Sequence, residues 1–188
     1  KPALYISGKD NFREKVATIL PYKGNRDPLH KPKYYKEIRE YLKDAYGAQV
    51  VDGQEADDEI GIAQWKAGKE TCIVSIDKDL DMIPGYHYNW VRDHFYYVSL
   101  DEANYNFYHQ LLVGDRTDNI PGIDGIGPVK ASRALGDIGK DLEYYARVVR
   151  EEYKRQYESK WEDALQEVAQ LIWIRREPGK GTDLPLLK

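Results

Sequence analysis

The residues best suited to chemistry in this sequence lie in the stretch 114–131. Asp115 and Asp118 are three residues apart, so one turn of helix would place both carboxylates on a single face. Carboxylate oxygens are the ligands that hard divalent cations prefer. The spacing therefore predicts a pair of metal ligands, although Asp and Gly are also the commonest residues of ordinary loops.

A glycine-rich stretch, GIDGIGPVK, follows directly at residues 122–130. Pro128 suits the first turn of a helix, where its missing N–H has no partner to lose. The glycines allow backbone N–H groups to approach a phosphate closely, and the positive end of the following helix attracts the same anion. We therefore predict a hairpin that opens a helix and holds a phosphate. A metal site beside it indicates phosphodiester chemistry.

Two more acidic clusters follow predicted strands. The sequence EADD occupies residues 55–58, after the predicted strand 49–51, and DKD occupies residues 77–79, after the predicted strand 71–76. Acidic residues at a helix start can simply be favourable partners of its dipole. Three carboxylates in four residues repel one another, however, and are better explained by a bound cation. The predicted metal ligands are Glu55, Asp57, Asp58, Asp77, Asp79, Asp115 and Asp118.

The elements that must position these acids alternate between strand and helix. Strands are predicted at 3–6, 49–51 and 71–76, with aromatic strands of the core at 86–91 and 95–100. Helices are predicted at 34–46, 55–68, 99–112, 131–135, 140–157 and 161–175. This alternation predicts an α/β fold with a parallel sheet and the acids at its carboxyl edge. We expect a core at 1–113, a helical region at 114–176 and a loose tail at 177–188.

Basic and aromatic side chains alternate in the segment of about 22–46. Tyr22, Lys23 and Arg26 come first, and the second group is Lys31, Lys33 and Lys36. Lys and Arg suit phosphates, and tyrosine rings stack on unpaired bases. A solvated charged face explains the same pattern equally well.

Composition sets limits on the function. The chain has 188 residues, 41% hydrophobic and 32% charged, with a net charge of −4. Without the seven proposed ligands that charge becomes −4 + 7 = +3, so a DNA partner is compatible with it. No apolar run approaches the roughly 20 residues of a membrane span, and no signal peptide is visible. The lone Cys72 is expected to pack as a small hydrophobe in a cytoplasmic protein.

These motifs, in this order, resemble those of the 5′-nuclease family, which includes phage 5′–3′ exonucleases, flap endonucleases and the 5′-nuclease domain of bacterial DNA polymerase I. YKGNR at 22–26 resembles the segment that leads into the family's helical arch. EADD, DKD and GDRTDN at 114–119 resemble its metal-binding acids. The stretch 122–130 resembles its helix–three-turn–helix, a helix-hairpin-helix type of DNA-binding element. The resemblance covers nearly the whole chain.

The resemblance implies a PIN-like α/β fold with a mostly parallel central sheet and flanking helices. It implies two Mg²⁺ or Mn²⁺ ions on the seven acids, and K⁺ at the helix–three-turn–helix. Lys23 and Arg26 would steady the scissile phosphate and Tyr22 would stack near the 5′ end. The residues implied to bind DNA are Lys31, Lys33, Lys36, Gly125, Gly127 and Lys130.

The family's first strand, with an early metal-binding aspartate, would precede Lys1, so we expect the chain to be incomplete at its N-terminus. Asp10 is the candidate for the acid that ends the family's next strand. The implied activity is a monomeric, metal-dependent 5′ nuclease that acts on DNA ends or flaps. Two alternatives stay open: a module that binds flap or duplex DNA without cutting it, and an RNA-cleaving nuclease, against which Gly125 and Gly127 argue.

Overall fold

The computed structural model describes residues 2–27 and 31–186. Three residues of the predicted basic segment, 28–30, lie outside this part of the chain. In chain order the elements are β1 (Tyr5–Ser7), α1 (Arg13–Val16), α2 (Tyr35–Tyr46), β2 (Gln49–Val51), α3 (Ala56–Ala67), β3 (Cys72–Val74), β4 (Gly85–Asn89), β5 (His94–Val98), α4 (Leu100–Val113), α5 (Pro128–Leu135), α6 (Leu142–Tyr157) and α7 (Trp161–Ile172).

The strands have the mainly parallel pairing that the sequence predicts. β1 pairs in parallel with β2, and β3 pairs in parallel with β4. β4 also pairs with β5 in an antiparallel hairpin. The predicted α/β class is confirmed. The strands form two hydrogen-bonded sheets within the described residues, rather than one, because β3 pairs only with β4 and β1 only with β2.

A core of packed helices holds the end of α4, and the loop with Asp115 and Asp118 follows directly. Phe107, Leu111, Val149 and Leu165 are fully buried where α4, α6 and α7 meet. The Tyr153 hydroxyl donates to the Leu111 carbonyl at 2.9 Å and so ties α6 to α4. Part of the predicted loose tail is packed, since Pro185 accepts a 3.0 Å hydrogen bond from Tyr108 and Leu186 is buried.

The predicted burial of the apolar strands is wrong for one face of the β3–β4–β5 sheet. Ile73 and His87 are 5% and 2% exposed, whereas Val74 and Phe95 are 62% and 59% exposed. Cys72, predicted to be packed, is also exposed. Successive strand residues point to opposite faces, and only the face of Ile73 meets the core. A continuous apolar run does not reveal which face is covered.

The boundaries of α2 to α6 agree closely with the prediction, whereas the short helix α1 was not predicted and α7 ends early. This helix ends at Ile172 rather than residue 175, because Trp173 is extended with ψ 124°. Within residues 2–27 and 31–186, none of the helices combines the length and apolarity that a bilayer span requires.

Candidate active site

A narrow acidic pocket forms where three separate parts of the fold meet. Glu55 precedes α3 and follows β2, Asp79 lies in a short 3₁₀ turn (Lys78–Met82) after β3, and Asp115 and Asp118 follow α4. The acidic residues lining the pocket are Glu55, Asp57, Asp79, Asp115 and Asp118. Its volume is about 30 Å³, which is on the scale of bound water or ions and far too small for an organic ligand. The pocket therefore suits an ion rather than an organic ligand.

The loop that carries Asp115 and Asp118 is a closed turn, not the helical turn that the spacing suggested. Asp115 and Ile120 exchange backbone hydrogen bonds of 2.9 and 2.7 Å. Asp115 also accepts the Thr117 N–H through its side chain at 2.7 Å. Glycine is required at its base, because a Cβ on Gly122 would lie 2.2 Å from the Val113 carbonyl oxygen. The two carboxylates still converge, held by the turn rather than by helix periodicity.

Burial and mutual repulsion together raise the pKa values of two pocket carboxylates. Burial, followed by the charges of Asp77 and Asp115, raises the pKa of Asp79 to about 7. Burial, followed by Glu55 and Asp77, raises the pKa of Asp57 to about 6. Asp77 is exposed, and its side chain accepts the Asp79 N–H at 3.0 Å. Asp77 therefore belongs electrostatically to the same cluster, at its rim.

Lys23 and Arg26 supply positive charge to the pocket. Lys23 forms an ion pair with Glu55, and its Nζ lies 3.4 Å from Asp118. Arg26 pairs with the other oxygen of Asp118 at 2.5 Å. The Lys23 backbone has φ 54°, an unusual value for a residue with a side chain, and its N–H donates to the Asp118 carbonyl at 2.8 Å. The basic segment is thus joined to the acidic loop by both backbone and side chains.

Tyr22 contributes its hydroxyl rather than an exposed ring. The hydroxyl oxygen lies 2.9 Å from Glu55 and 2.7 Å from Asp118, and its single proton is shared between these acceptors. Burial and the two carboxylates raise the pKa of Tyr22 far above its ordinary value. The ring is partly buried and packs against the helical core, and its implied stacking near a 5′ end stays a prediction.

Asp58 is not available as a metal ligand, which corrects the sequence prediction. Its side chain is fully buried, and Arg13 donates to both of its oxygens at 2.5 and 3.0 Å. The backbone N–H groups of Glu55 and Arg175 also donate hydrogen bonds to the Asp58 carboxylate, at 3.1 and 3.0 Å. As the third residue of α3, Asp58 points inward, away from the pocket face that Glu55 and Asp57 share.

The remaining predicted residues do not line the acidic pocket. Asp10 is exposed beyond β1, with φ 60°. Lys31 lies over the Tyr35 ring at 5.2 Å and lines a different concavity, at the ends of β1 and β2. Lys33 lies 5.2 Å over the Tyr34 ring, and Lys36 is exposed on α2. These cations form a separate basic surface at the start of α2.

The glycine-rich stretch leads into α5 as predicted, with Pro128 at its first position. Gly125, Gly127 and Lys130 are exposed. A Cβ at either glycine would meet nothing within 4 Å, and Gly125 needs its positive φ of 74°. The backbone here is therefore open to close approach by a ligand.

The acidic donor set fits a divalent cation in composition, because crowded carboxylates with raised pKa values are stabilised by a nearby positive ion. Across residues 2–27 and 31–186, no three His, Cys, Asp or Glu side chains already converge in metal-binding geometry. Lys23, Arg26 and Tyr22 contact the carboxylate oxygens of Glu55 and Asp118 instead. A cavity of about 700 Å³ between α7 and the tail includes none of the predicted acidic ligands.

Two pocket residues had no signal in the sequence. Arg13 lies in the pocket wall with 2% exposure, and Gln110 donates weakly to Asp79 at 3.4 Å. Arg13 follows Phe12 beyond β1, where a single cation is indistinguishable from a surface residue. Gln110 occupies an ordinary helical position in α4.

Comparison with known proteins supports the interpretation of the motifs. No protein-family model matches the chain. It is 31% identical over 168 residues to the flap endonuclease Xni of Pectobacterium atrosepticum, covering 78% of this chain and 64% of the relative. It is 30% identical over 140 residues to the 5′-3′ exonuclease of Buchnera aphidicola, covering 66% of this chain and 48% of the relative. The chain therefore spans about half to two thirds of these relatives.

The fold has a counterpart among solved structures. A bacteriophage T5 flap endonuclease, solved as a pseudo-enzyme-product complex with DNA and metal ions, matches with a TM-score of 0.59 at 19% identity. The match covers 90% of this chain and 74% of that one. The curated relatives and the order of the motifs place the chain in the 5′-nuclease family, and the fold agrees with this.

Proposed function

We propose that this chain carries the active site of a divalent-metal-dependent 5′ nuclease, which hydrolyses DNA phosphodiesters at or near 5′ ends as an exonuclease, a flap endonuclease or both. The observation that carries the proposal is the convergence of Glu55, Asp57, Asp79, Asp115 and Asp118 on one pocket. These residues come from three segments far apart in sequence. The names of the relatives, flap endonuclease and 5′-3′ exonuclease, agree with it.

The acids that would hold the metal are those five and Asp77. When bound, a pair of Mg²⁺ or Mn²⁺ ions supplies Lewis-acid stabilisation to the attacking and leaving oxygens of an in-line displacement. The carboxylates fix the ions by charge and by their oxygen donors. Asp58 takes no part in this coordination, because protein donors already occupy its oxygens.

Lys23 and Arg26 would bind the scissile phosphate. Their side chains are 25% and 51% exposed at the mouth of the pocket, beside Glu55 and Asp118. Charge-assisted hydrogen bonds from these cations would orient the phosphate and offset the negative charge that grows in the transition state. The Tyr22 hydroxyl would orient Glu55 and Asp118. Hydrolysis in this arrangement leaves a 5′ phosphate and a 3′ hydroxyl.

The exposed backbone at Gly125 and Gly127 would hold the duplex part of the substrate. Both positions leave open space, and the N-terminus of α5 adds the positive end of a helix dipole. Lys130 would add a phosphate contact, and the open backbone around Gly125 and Gly127 would hold K⁺, whose positive charge would favour phosphate binding. Lys31, Lys33 and Lys36 would contact the strand that enters from the 5′ side.

The direct test is cleavage of a 5′-labelled flap substrate by the protein with and without millimolar Mg²⁺. We expect Mg²⁺-dependent products that disappear in Asp77→Asn, while binding of the substrate in EDTA persists. Binding without cleavage would favour the non-catalytic DNA module. Cleavage that is unchanged in Asp77→Asn would rule out the proposed site.

A further inference from the structure

We infer that Arg13 is a positioning residue, which acts through Asp58 to set the first turn of α3 and so the orientation of Glu55 and Asp57. The inference rests on the proposed metal-dependent function of the pocket. It assigns Arg13 and Asp58 a role in metal binding although neither provides a ligand.

Arg13 joins three elements of the fold at the wall of the pocket. Its Nε donates to the Leu171 carbonyl at 2.9 Å, and Nη2 donates to the Trp173 carbonyl at 2.6 Å. Its two terminal nitrogens also donate hydrogen bonds to both carboxylate oxygens of Asp58. One planar guanidinium therefore fixes α1, the end of α7 and the start of α3 relative to one another. Lysine has no planar fork and could not make these bonds together.

Asp58 passes this constraint to the candidate ligands. Its carboxylate accepts the Glu55 N–H, and the Glu55 side chain in turn accepts the Asp58 N–H, which is a reciprocal capping box. Glu55 is thus held through its backbone and its carboxylate. Asp57 stands between the two capped residues, so its direction follows the same turn. A rotation of this turn would move both carboxylates relative to Asp79 and Asp118.

Burial makes the pair sensitive to loss of either partner. Arg13 and Asp58 are 2% and 0% exposed, so removing one charge leaves the other unpaired in the interior. Because the pair is neutral as a whole, it orients the ligands without adding net charge to the pocket. Partners that orient metal ligands in this way typically change metal affinity by about 10–100-fold when they are mutated.

The test compares Arg13→Lys with Arg150→Lys, a matched change at a second buried arginine. Arg150 is 9% exposed and pairs with Glu143 of the same helix, α6, away from the acidic pocket. Both variants should lower Tm. The measurements are the Mg²⁺ and Mn²⁺ concentrations that give half-maximal thermal stabilisation, and the affinity for a flap substrate in EDTA.

We expect Arg13→Lys to raise the half-maximal metal concentration about 10-fold or more, with DNA affinity in EDTA unchanged. Arg150→Lys should titrate like the parent protein. An unchanged metal midpoint in Arg13→Lys, or an equal shift in Arg150→Lys, would overturn the positioning role. If the parent protein itself gains no stability from metal and cuts no flap, the proposed function fails instead.

Asp58→Asn provides a second variant, should Arg13→Lys not fold. It keeps the size of the side chain but loses one acceptor for the guanidinium, and the same shift in metal midpoint is expected. If neither variant folds, the pair is a folding determinant and the specific positioning role is rejected.

Discussion

Lys23 is paired with Glu55 across the mouth of the acidic pocket, and the same ammonium group lies 3.4 Å from Asp118. Two carboxylates from distant parts of the chain are therefore bridged by one cation of the basic segment. Without metal, this bridge offsets much of the repulsion within the pocket. The same residue is then available to bind phosphate when the carboxylates have other cationic partners.

The Lys23 bridge predicts a metal-dependent stability effect. Lys23→Ala should lower Tm in EDTA by about 2–4 °C, corresponding to roughly 1 kcal/mol for a chain of this size. Millimolar Mg²⁺ should reduce the difference, because cations then neutralise Glu55 and Asp118. Lys43→Ala, which removes an exposed pair with Glu40 on α2, is the control and should show no dependence on Mg²⁺. An equal loss with and without Mg²⁺ would contradict the bridge.

Burial of Asp79 beside other carboxylates predicts that replacing it abolishes activity but stabilises the fold. Its pKa is raised to about 7 in the folded protein, so ionised Asp79 destabilises the fold above that pH. The penalty is relieved as the pH falls from about 7 towards the unfolded value near 4. Asp79→Asn should therefore raise Tm in EDTA at pH 8, by an amount that shrinks towards pH 5, and should abolish cleavage.

The control for this experiment is Asp44→Asn, at an exposed position on α2. It should change Tm little at either pH. A lower Tm for Asp79→Asn at pH 8 would show that Asp79 makes a stabilising contact that outweighs the repulsion.

The close contact between Gly122 and the end of α4 predicts that a larger residue at position 122 displaces the loop that carries Asp115 and Asp118. Gly122→Ala would force a Cβ to within 2.2 Å of the Val113 carbonyl oxygen. We expect a cost of about 1–3 kcal/mol and a weaker response of Tm to Mg²⁺, because the loop must shift. Gly181→Ala, with no heavy atom within 4 Å of the added Cβ, should behave like the parent protein. Normal metal stabilisation in Gly122→Ala would show that the loop tolerates displacement.

The open backbone before α5 predicts a change in DNA binding without a change in stability. Gly127→Ala adds a Cβ into empty space at an ordinary φ of −93°, so Tm should be unaffected. If a phosphate approaches this backbone, affinity for duplex DNA in EDTA should fall severalfold. Unchanged affinity would remove Gly127 from the DNA contacts.

Substitution of Lys130 provides an independent test of DNA binding at the start of α5. Lys130→Ala should reduce the slope of log K against log salt for duplex binding by about 1, as expected for one lost phosphate contact. Lys66→Ala, near the end of α3, should leave the slope unchanged. If the parent protein, Lys130→Ala and Lys66→Ala all give the same slope, Lys130 does not contact the DNA.

The sequence predicted what is encoded locally and missed what depends on tertiary contacts. Strand and helix order, Pro128 at the start of α5 and the acids after β2 and β3 all follow from short-range patterns. Asp58 was wrongly grouped with the ligands because its inward direction depends on Arg13, which lies 45 residues away. The exposure of Val74 and Phe95 depends on which sheet face is covered, and no local pattern contains that information.

The most direct test of the account is the location of bound ions in crystals of the protein soaked with Mn²⁺. Anomalous scattering should place Mn²⁺ among Asp57, Asp79, Asp115 and Asp118, with the side chain of Lys23 moved away from Glu55. Asp58 should remain paired with Arg13 and outside the coordination sphere. Mn²⁺ absent from this pocket, or coordinated by Asp58, would contradict the account.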